Sequence, residues 1–324
     1  MMTAFAAGSI SFRLYPHDLD SRAIVEELRL QARLACDSGF DGVMISERHG
    51  GIVGNMPNPI QVAGWLAEAS TGWVAPCPVL IPLRPAALVV EELAWLSARF
   101  PARIGAGFGA GGHDLDYQMV GSDRDELVPR FEQALHFVVR HLTGRLDSEG
   151  PGDGDALAKD RAVAACTTAP VPVISAAMSV TAARRAARCG AGIIGSSLIA
   201  VSLERRLSEE YVSAGGIGPR VLIRHVWLGA PPREAIDTKL REYRRSASEA
   251  GRPLGADELI ASFDAEEIAE RVVTAARTAG KTCIHLRVHV PGISPGQARE
   301  QITAIGEQVV PIIRRQQHGQ PVGV

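Results

Sequence analysis

Lysine is nearly missing from this 324-residue chain. Of its 34 basic residues only Lys159, Lys239 and Lys281 are lysines, so arginine carries the rest. That bias reads as composition rather than chemistry. Net charge is also nearly missing, at −2 with 36 acidic residues. Phosphate-binding proteins carry a basic surplus, so nucleic acid is excluded as the main partner. An anionic membrane surface is excluded on the same ground. No apolar run reaches the ~20 residues of a membrane span. No basic segment followed by an apolar stretch opens the chain, so no secretory signal is expected. Cysteine is scarce and odd in number: Cys36, Cys77, Cys166, Cys189 and Cys283, with no CxxC pair. A disulfide framework and a structural zinc site are not expected, and a cytoplasmic location is. Also absent are GxSxG and a GxGxxG after the first strand, and no histidine pair or carboxylate cluster suggests a metal.

What is present is alternation. Short apolar runs at 8–14, 42–45, 73–81, 102–107, 171–176, 191–194, 221–227 and 283–288 read as strands. Amphipathic stretches at 20–38, 59–70, 87–98, 124–142, 179–189, 202–214, 232–249, 265–279 and 295–317 read as helices. Strands alternating with helices imply right-handed βαβ units and a parallel sheet. Eight units predict a single (β/α)8 TIM barrel over residues 1–324, although the length also accommodates two domains or an open sheet. Residues 144–160, rich in Gly, Asp and Pro, read as a flexible insertion.

In a barrel, chemistry sits in the loops after the strands. The second such loop holds Glu47, Arg48 and His49 followed by Gly50 and Gly51. Three ionisable groups there suit proton handling or anion binding, and equally an ion pair that ties down a loop. The third strand contains Pro76, Cys77 and Pro78, which suggests a bulge or a cis bond, or a strand that starts at Val79. Cys77 has no adjacent base and is no nucleophile candidate. Strand four ends in GAGFGAGG, residues 105–112, through Gly107 and Phe108. Such a loop allows backbone to approach a flat or phosphorylated ligand, or is simply a surface turn. Ala177-Met178-Ser179-Val180-Thr181 places Ser179 as a helix N-cap, a setting for an anion or for capping alone. His285, Arg287 and His289 share one strand parity and face one side. Satisfied core histidines remain the alternative there, and His289 is the better pocket candidate of the two.

The segments SERHGGIVGNMPNP, VLIPLRPAALVVEELAWLS, ARIGAGFGAGGHDLDYQMVG, VPVISAAMSVTAARRAARCGAG and IHLRVHVPGISP, in that order, resemble the bacterial luciferase-like flavin oxidoreductases. The resemblance spans residues 8 to 315. It implies a (β/α)8 barrel that takes reduced FMN from a separate flavin reductase and inserts one atom of O2 into a small organic substrate. It implies alternatively an F420-dependent hydride transfer, or a non-catalytic flavin-binding subunit. Glu47 and His49 match the outer residues of the family's Glu-His-His loop, and Arg48 stands where the family has its catalytic histidine. Arginine is no general base, so Arg48 would bind an anion or stabilise an oxyanion. His49 then remains as the acid or base. Pro76-Cys77 aligns with the family's cis peptide under the flavin ring. Ala177, Met178, Ser179 and Thr181 match the segment that holds the flavin phosphate, and Phe108, beside Gly107, stands where the family has a phosphate-contacting arginine. A homodimer through helices 58–70 and 86–98 is a further implication.

Overall fold

In the computed structural model, residues 2–50, 56–112, 114–121, 127–145, 156–246, 259–288 and 292–318 are described. Along them run β1 (Ile10–Arg13), α1 (Ser21–Asp37), β2 (Gly42–Ile45), α2 (Pro59–Ala69), β3 (Trp73–Pro76), β4 (Val79–Leu80) and α3 (Ala86–Arg99). There follow β5 (Ala106–Gly109), α4 (Asp114–Met119), α5 (Leu127–Leu142), α6 (Arg161–Ala165), β6 (Val173–Ala176), α7 (Val180–Cys189), β7 (Gly192–Ile194) and α8 (Val201–Ser213). The chain continues through β8 (Arg220–Leu228), α9 (Arg233–Ser246), β9 (Leu259–Ser262), α10 (Ala265–Thr278), β10 (Cys283–Arg287), α11 (Pro295–Ala304) and α12 (Val310–His318). No described helix is long and apolar enough to cross a membrane.

Every strand pairing is parallel, in the order β3-β2-β1-β10-β8-β7-β6-β5-β4. The two ends of that order are two pieces of one strand. β3 pairs with β2, β4 pairs with β5, and a Val74–Ile104 bridge links the lower part of this strand to the chain entering β5. The sheet therefore closes into the TIM barrel that the alternation predicts.

Alternate residues point into the ring and out to the helices. Outward residues such as Ile10, Phe12, Val43, Val74, Phe108, Leu222 and Ile284 pack with the helices in the main apolar core. Inward residues Met44, Trp73, Ala75, Cys77, Ile174, Ile194, Val221 and Cys283 form a second cluster, joined by Ala4 and Phe5. Phe5 meets Trp73 edge to face, with ring centroids 5.1 Å apart, and so plugs the floor of the barrel. A Cβ at Gly42 would overlap the Trp73 ring, and one at Gly105 would press on Phe5 and Ala4. Glycine at both positions makes room for the plug.

The sheet keeps to the sequence expectation at the suggested cis bond before Pro78 and departs from it in two places. The third strand is split at Cys77–Pro78, the chain's cis peptide among the described residues. Proline lacks an N–H, so the ladder cannot run through it. Strand four begins at Ala106 rather than 102, because residues 101–103 form a turn with Ala102 at φ +60°. A ninth strand, β9, lies off the closed ring and pairs with His225–Leu228, the outer half of β8. The last helical stretch is not one α-helix, since a π-helical segment at Ile305–Val309 separates α11 from α12. Of the 144–160 stretch, residues 146–155 lie outside the described residues. Leu157–Lys159 is a short 3-10 turn, and Asp160 N-caps α6 through Ala162 and Val163.

Candidate active site

A cavity of about 490 Å³ opens at the C-terminal end of the barrel. That volume is ordinary for a cofactor or small-molecule site. Its floor is apolar, made by Met44, Cys77, Ile194 and Ile223. A groove of about 510 Å³ between the Ile81–Leu83 turn and α5 is lined by none of the candidate catalytic or cofactor residues.

The loop after β2 forms one wall. Glu47 is buried, and its backbone N–H donates to Pro78 O at 3.0 Å. Its Oε2 accepts from Leu80 N–H at 2.7 Å, and its Oε1 lies 2.9 Å from His49 Nε2. Burial raises the Glu47 pKa above the usual carboxylate value, against the opposing pull of those hydrogen bonds. His49 is held at both ends, because its backbone N–H donates to Asp116 Oδ1 on α4 at 3.1 Å. Glu47, Arg48 and Asp116 line the cavity, whereas His49 does not. The pairing is thus Glu47 with His49, and the loop presents Ser46, Glu47 and Arg48 to the cavity. Gly51 and the rest of 51–55 lie outside the described residues.

The seam in the third strand forms the next part. Cys77 faces the cavity, and its thiol is pushed up to about 12 by burial, which leaves it protonated and unreactive. A Cβ at Gly107 would collide with the Cys77 side chain, so glycine there permits the seam to sit against β5. Gly107 itself contributes no lining, and neither does Pro76. Phe108 has the opposite parity and is fully buried in the sheet–helix core. The cavity receives instead the backbone of Gly109, Ala110, Gly111 and Gly112. Tyr117 O–H donates to Ala110 O and pins that loop.

Across the mouth, Met178, Ser179, Ala182 and Arg185 bring the start of α7 to the wall. Ser179 caps the helix by accepting from Ala182 N–H at 3.2 Å. Ala177 and Thr181 do not line the cavity. Arg185 is 9% exposed; its guanidinium lies 5.4 Å above the Phe131 ring and 4.0 Å from Glu132. Sequence reasoning missed this residue, yet Ser179, Ala182 and Arg185 follow at three-residue steps, which on a helix mark one face.

The remaining wall comes from β1 and β10. Arg13, His285 and Arg287 line it. His285 Nδ1 lies 2.9 Å from Ser11 Oγ, and burial pushes this imidazole down to about 3, with the Arg13 charge adding to the effect. His285 is therefore neutral at physiological pH. Burial likewise lowers Arg13, and brings Arg287 down to about 9. His289 lies outside the described residues. Behind Gly195, on the same side of the ring, Glu204 pairs with the fully buried Lys281.

The fold and cavity define a class: a parallel (β/α)8 barrel with a polar, arginine-rich site at the C-terminal ends of its strands, where barrel enzymes carry out catalysis. The family profile of luciferase-like monooxygenases matches residues 9–215, and the chain belongs to that family. Among curated proteins no sequence matches. Many solved structures are similar in fold, these three among them. Monooxygenase RslO1 from Streptomyces bottropensis has TM-score 0.75 and 17% identity, over 94% of this chain and 99% of that one. The oxygenating constituent of 3,6-diketocamphane monooxygenase from Pseudomonas putida, solved with FMN, has TM-score 0.71 and 16% identity, over 95% and 99%. The coenzyme F420-dependent tetrahydromethanopterin reductase from Methanopyrus kandleri has TM-score 0.65 and 14% identity, over 94% and 99%.

Proposed function

We propose that this protein is a monooxygenase that works on a small organic substrate with O2 and reduced FMN delivered by a separate flavin reductase. The observation that carries the reading is the cavity wall opposite β1 and β10. There the N-terminal end of α7, the Ser179 hydroxyl and the Arg185 guanidinium converge beside the glycine backbone of 109–112. A helix N-terminus with a hydroxyl and an arginine suits a phosphate. A glycine-lined backbone accepts a flat ring. Bound there, reduced FMN would supply the two electrons that activate O2.

The chain's own residues then have separable tasks. Arg48 is a fixed cation at the cavity wall that donates hydrogen bonds to a developing oxyanion and cannot act as base. Glu47 Oε1 and His49 Nε2 stand 2.9 Å apart, a hydrogen-bonded pair through which a proton can be passed at the cavity edge. The floor of Met44, Ile194 and Ile223 keeps water from the reacting centre. The exposed Trp65, Leu88 and Trp95 on α2 and α3 support a homodimer through those helices.

Anaerobic titration of the protein with reduced FMN and reduced F420, side by side, tests the assignment. Binding of reduced FMN together with O2-dependent product formation is expected. Binding of F420 alone would replace this reading with hydride transfer, the chemistry of the Methanopyrus kandleri relative's coenzyme class. Binding of neither would remove both.

A further inference from the structure

A smaller cavity, of about 220 Å³, lies at the other end of the barrel. It opens where α5 ends at Leu142 and α7 ends at Cys189, just before β7 begins at Gly192. That places it at the N-terminal ends of the strands, and it shares no lining residue with the catalytic cavity. Its walls carry His136, Arg140, Arg145 and Arg188, and no carboxylate among the described residues. Glu132 stands beside it, with Oε1 3.6 Å from Arg188 Nη2, but its other oxygen is shared with Arg185 at 4.0 Å. Gly190, the left-handed cap of α7 at φ +78°, leaves room for the third arginine: a Cβ there would overlap the Arg145 guanidinium. Arg145 Nη1 donates to Gly190 O at 3.4 Å.

Cations near helix C-termini are favoured by the helix dipole, and for Arg145 and Arg188 that account suffices. It leaves one atom out. Arg140 Nε is buried and meets no hydrogen-bond acceptor among the described residues. Buried donors in folded proteins are nearly always satisfied, by protein, by water or by an ion. Three guanidinium groups around this donor select an anion. They reach the pocket from three segments: α5, the chain that follows it, and the end of α7. A carboxylate offers two oxygens in one plane, whereas a phosphate group offers acceptors in several directions and up to two charges. Arginine forks arranged this way match the phosphate better.

We infer that His136, Arg140, Arg145 and Arg188 form a binding site for a phosphate group, free or carried by a small ester, separate from the catalytic cavity. The site stands independently of the flavin reading. Cys189 lines the same pocket and is half-buried, so its alkylation reports on occupancy. Cys36, half-buried on α1, is the internal control. Burial raises both thiols, so iodoacetamide labelling is run at alkaline pH, with chloride holding ionic strength constant and peptide mass mapping following each site. At saturation, inorganic phosphate or glycerol phosphate should slow labelling of Cys189 roughly tenfold and leave Cys36 unchanged. The stronger of the two probes names the source of the phosphate group. Arg140→Met should abolish the protection, and Arg185→Met, which alters only the catalytic cavity wall, should keep it. Calorimetric titration of Arg185→Met with inorganic phosphate should still show saturable binding. Absence of that binding overturns the site, as does labelling of Cys189 that phosphate slows no more than chloride. Protection lost in Arg185→Met but kept in Arg140→Met would place the anion in the catalytic cavity and also overturn it. Should Arg140→Met fail to fold, the exposed Arg145→Met takes its place with the same expected loss.

Discussion

Acidification should destabilise the protein through His285, with a slope that its burial determines. An imidazole in the unfolded chain titrates near 6.5, whereas in the fold this one is held down to about 3 by burial, with Arg13 adding to the effect. Above pH 6.5 neither state binds the proton and this residue contributes no pH dependence. Between 6.5 and 3 the unfolded chain takes up a proton that the fold refuses, so stability falls as pH falls. The slope approaches ~1.4 kcal/mol per pH unit. From pH 7 to pH 5 the loss is about 2 kcal/mol, a sizeable part of an ordinary 5–15 kcal/mol stability. His17, whose pKa is lowered mainly by burial, acts in the same direction. Glu47, whose pKa is raised, acts in the opposite one, its stabilisation fading as pH rises through its folded value. His285→Asn isolates the effect, because asparagine can still hydrogen-bond Ser11 but does not titrate. Urea unfolding of both proteins at pH 7 and pH 5, followed by circular dichroism, provides the measurement. The wild type should lose about 2 kcal/mol more than the variant between the two pH values. Equal losses would show that His285 titrates alike in both states, and the buried-neutral argument would be wrong.

Two further outcomes follow from the site and the surface. Arg185→Met should weaken reduced FMN by roughly 10- to 150-fold, the equivalent of a charge-assisted hydrogen bond of ~1.5–3 kcal/mol, while leaving reduced riboflavin unchanged. Fluorescence titration with the two flavins measures the ratio, and equal weakening of both would remove Arg185 from the phosphate site. Light scattering should give twice the 34.5 kDa chain mass, and Leu88→Glu, placing a charge on the exposed face of α3, should halve it. A wild-type monomer would refute the dimer.

The barrel was legible because its signals are local. β2 matches its apolar run from Gly42 to Ile45, and Ser179 announces α7 by its capping chemistry. β9 was not legible: Leu259–Ser262 is short, and its pairing partner is the outer half of β8, more than thirty residues away. The site divides similarly. The Glu47–Arg48–His49 cluster is contiguous and was found, but the anchor of the His49 backbone, Asp116, lies 67 residues away. Arg287 was placed by its parity with His285, but Arg13 was hidden by distance along the chain and by an arginine-rich composition that made any single arginine unremarkable. Strand parity with Ser11 was the signal that pointed to Arg13. The cofactor segment divided too: Met178 and Ser179 reach the wall, whereas Phe108 and Thr181 do not.

The break in the third strand has a consequence for how the neighbouring carboxylate should be interpreted. Where the ladder stops, Glu47 receives Leu80 N–H on its side chain, and it gives its own N–H to Pro78 O. The carboxylate thus serves as a substitute rung, closing the hoop of backbone bonds at the point where proline opened it. A Glu47→Ala enzyme that loses turnover would have lost part of its hoop as well as its proton partner. Glu47→Gln, which keeps an oxygen for that rung, is the comparison that separates carpentry from chemistry.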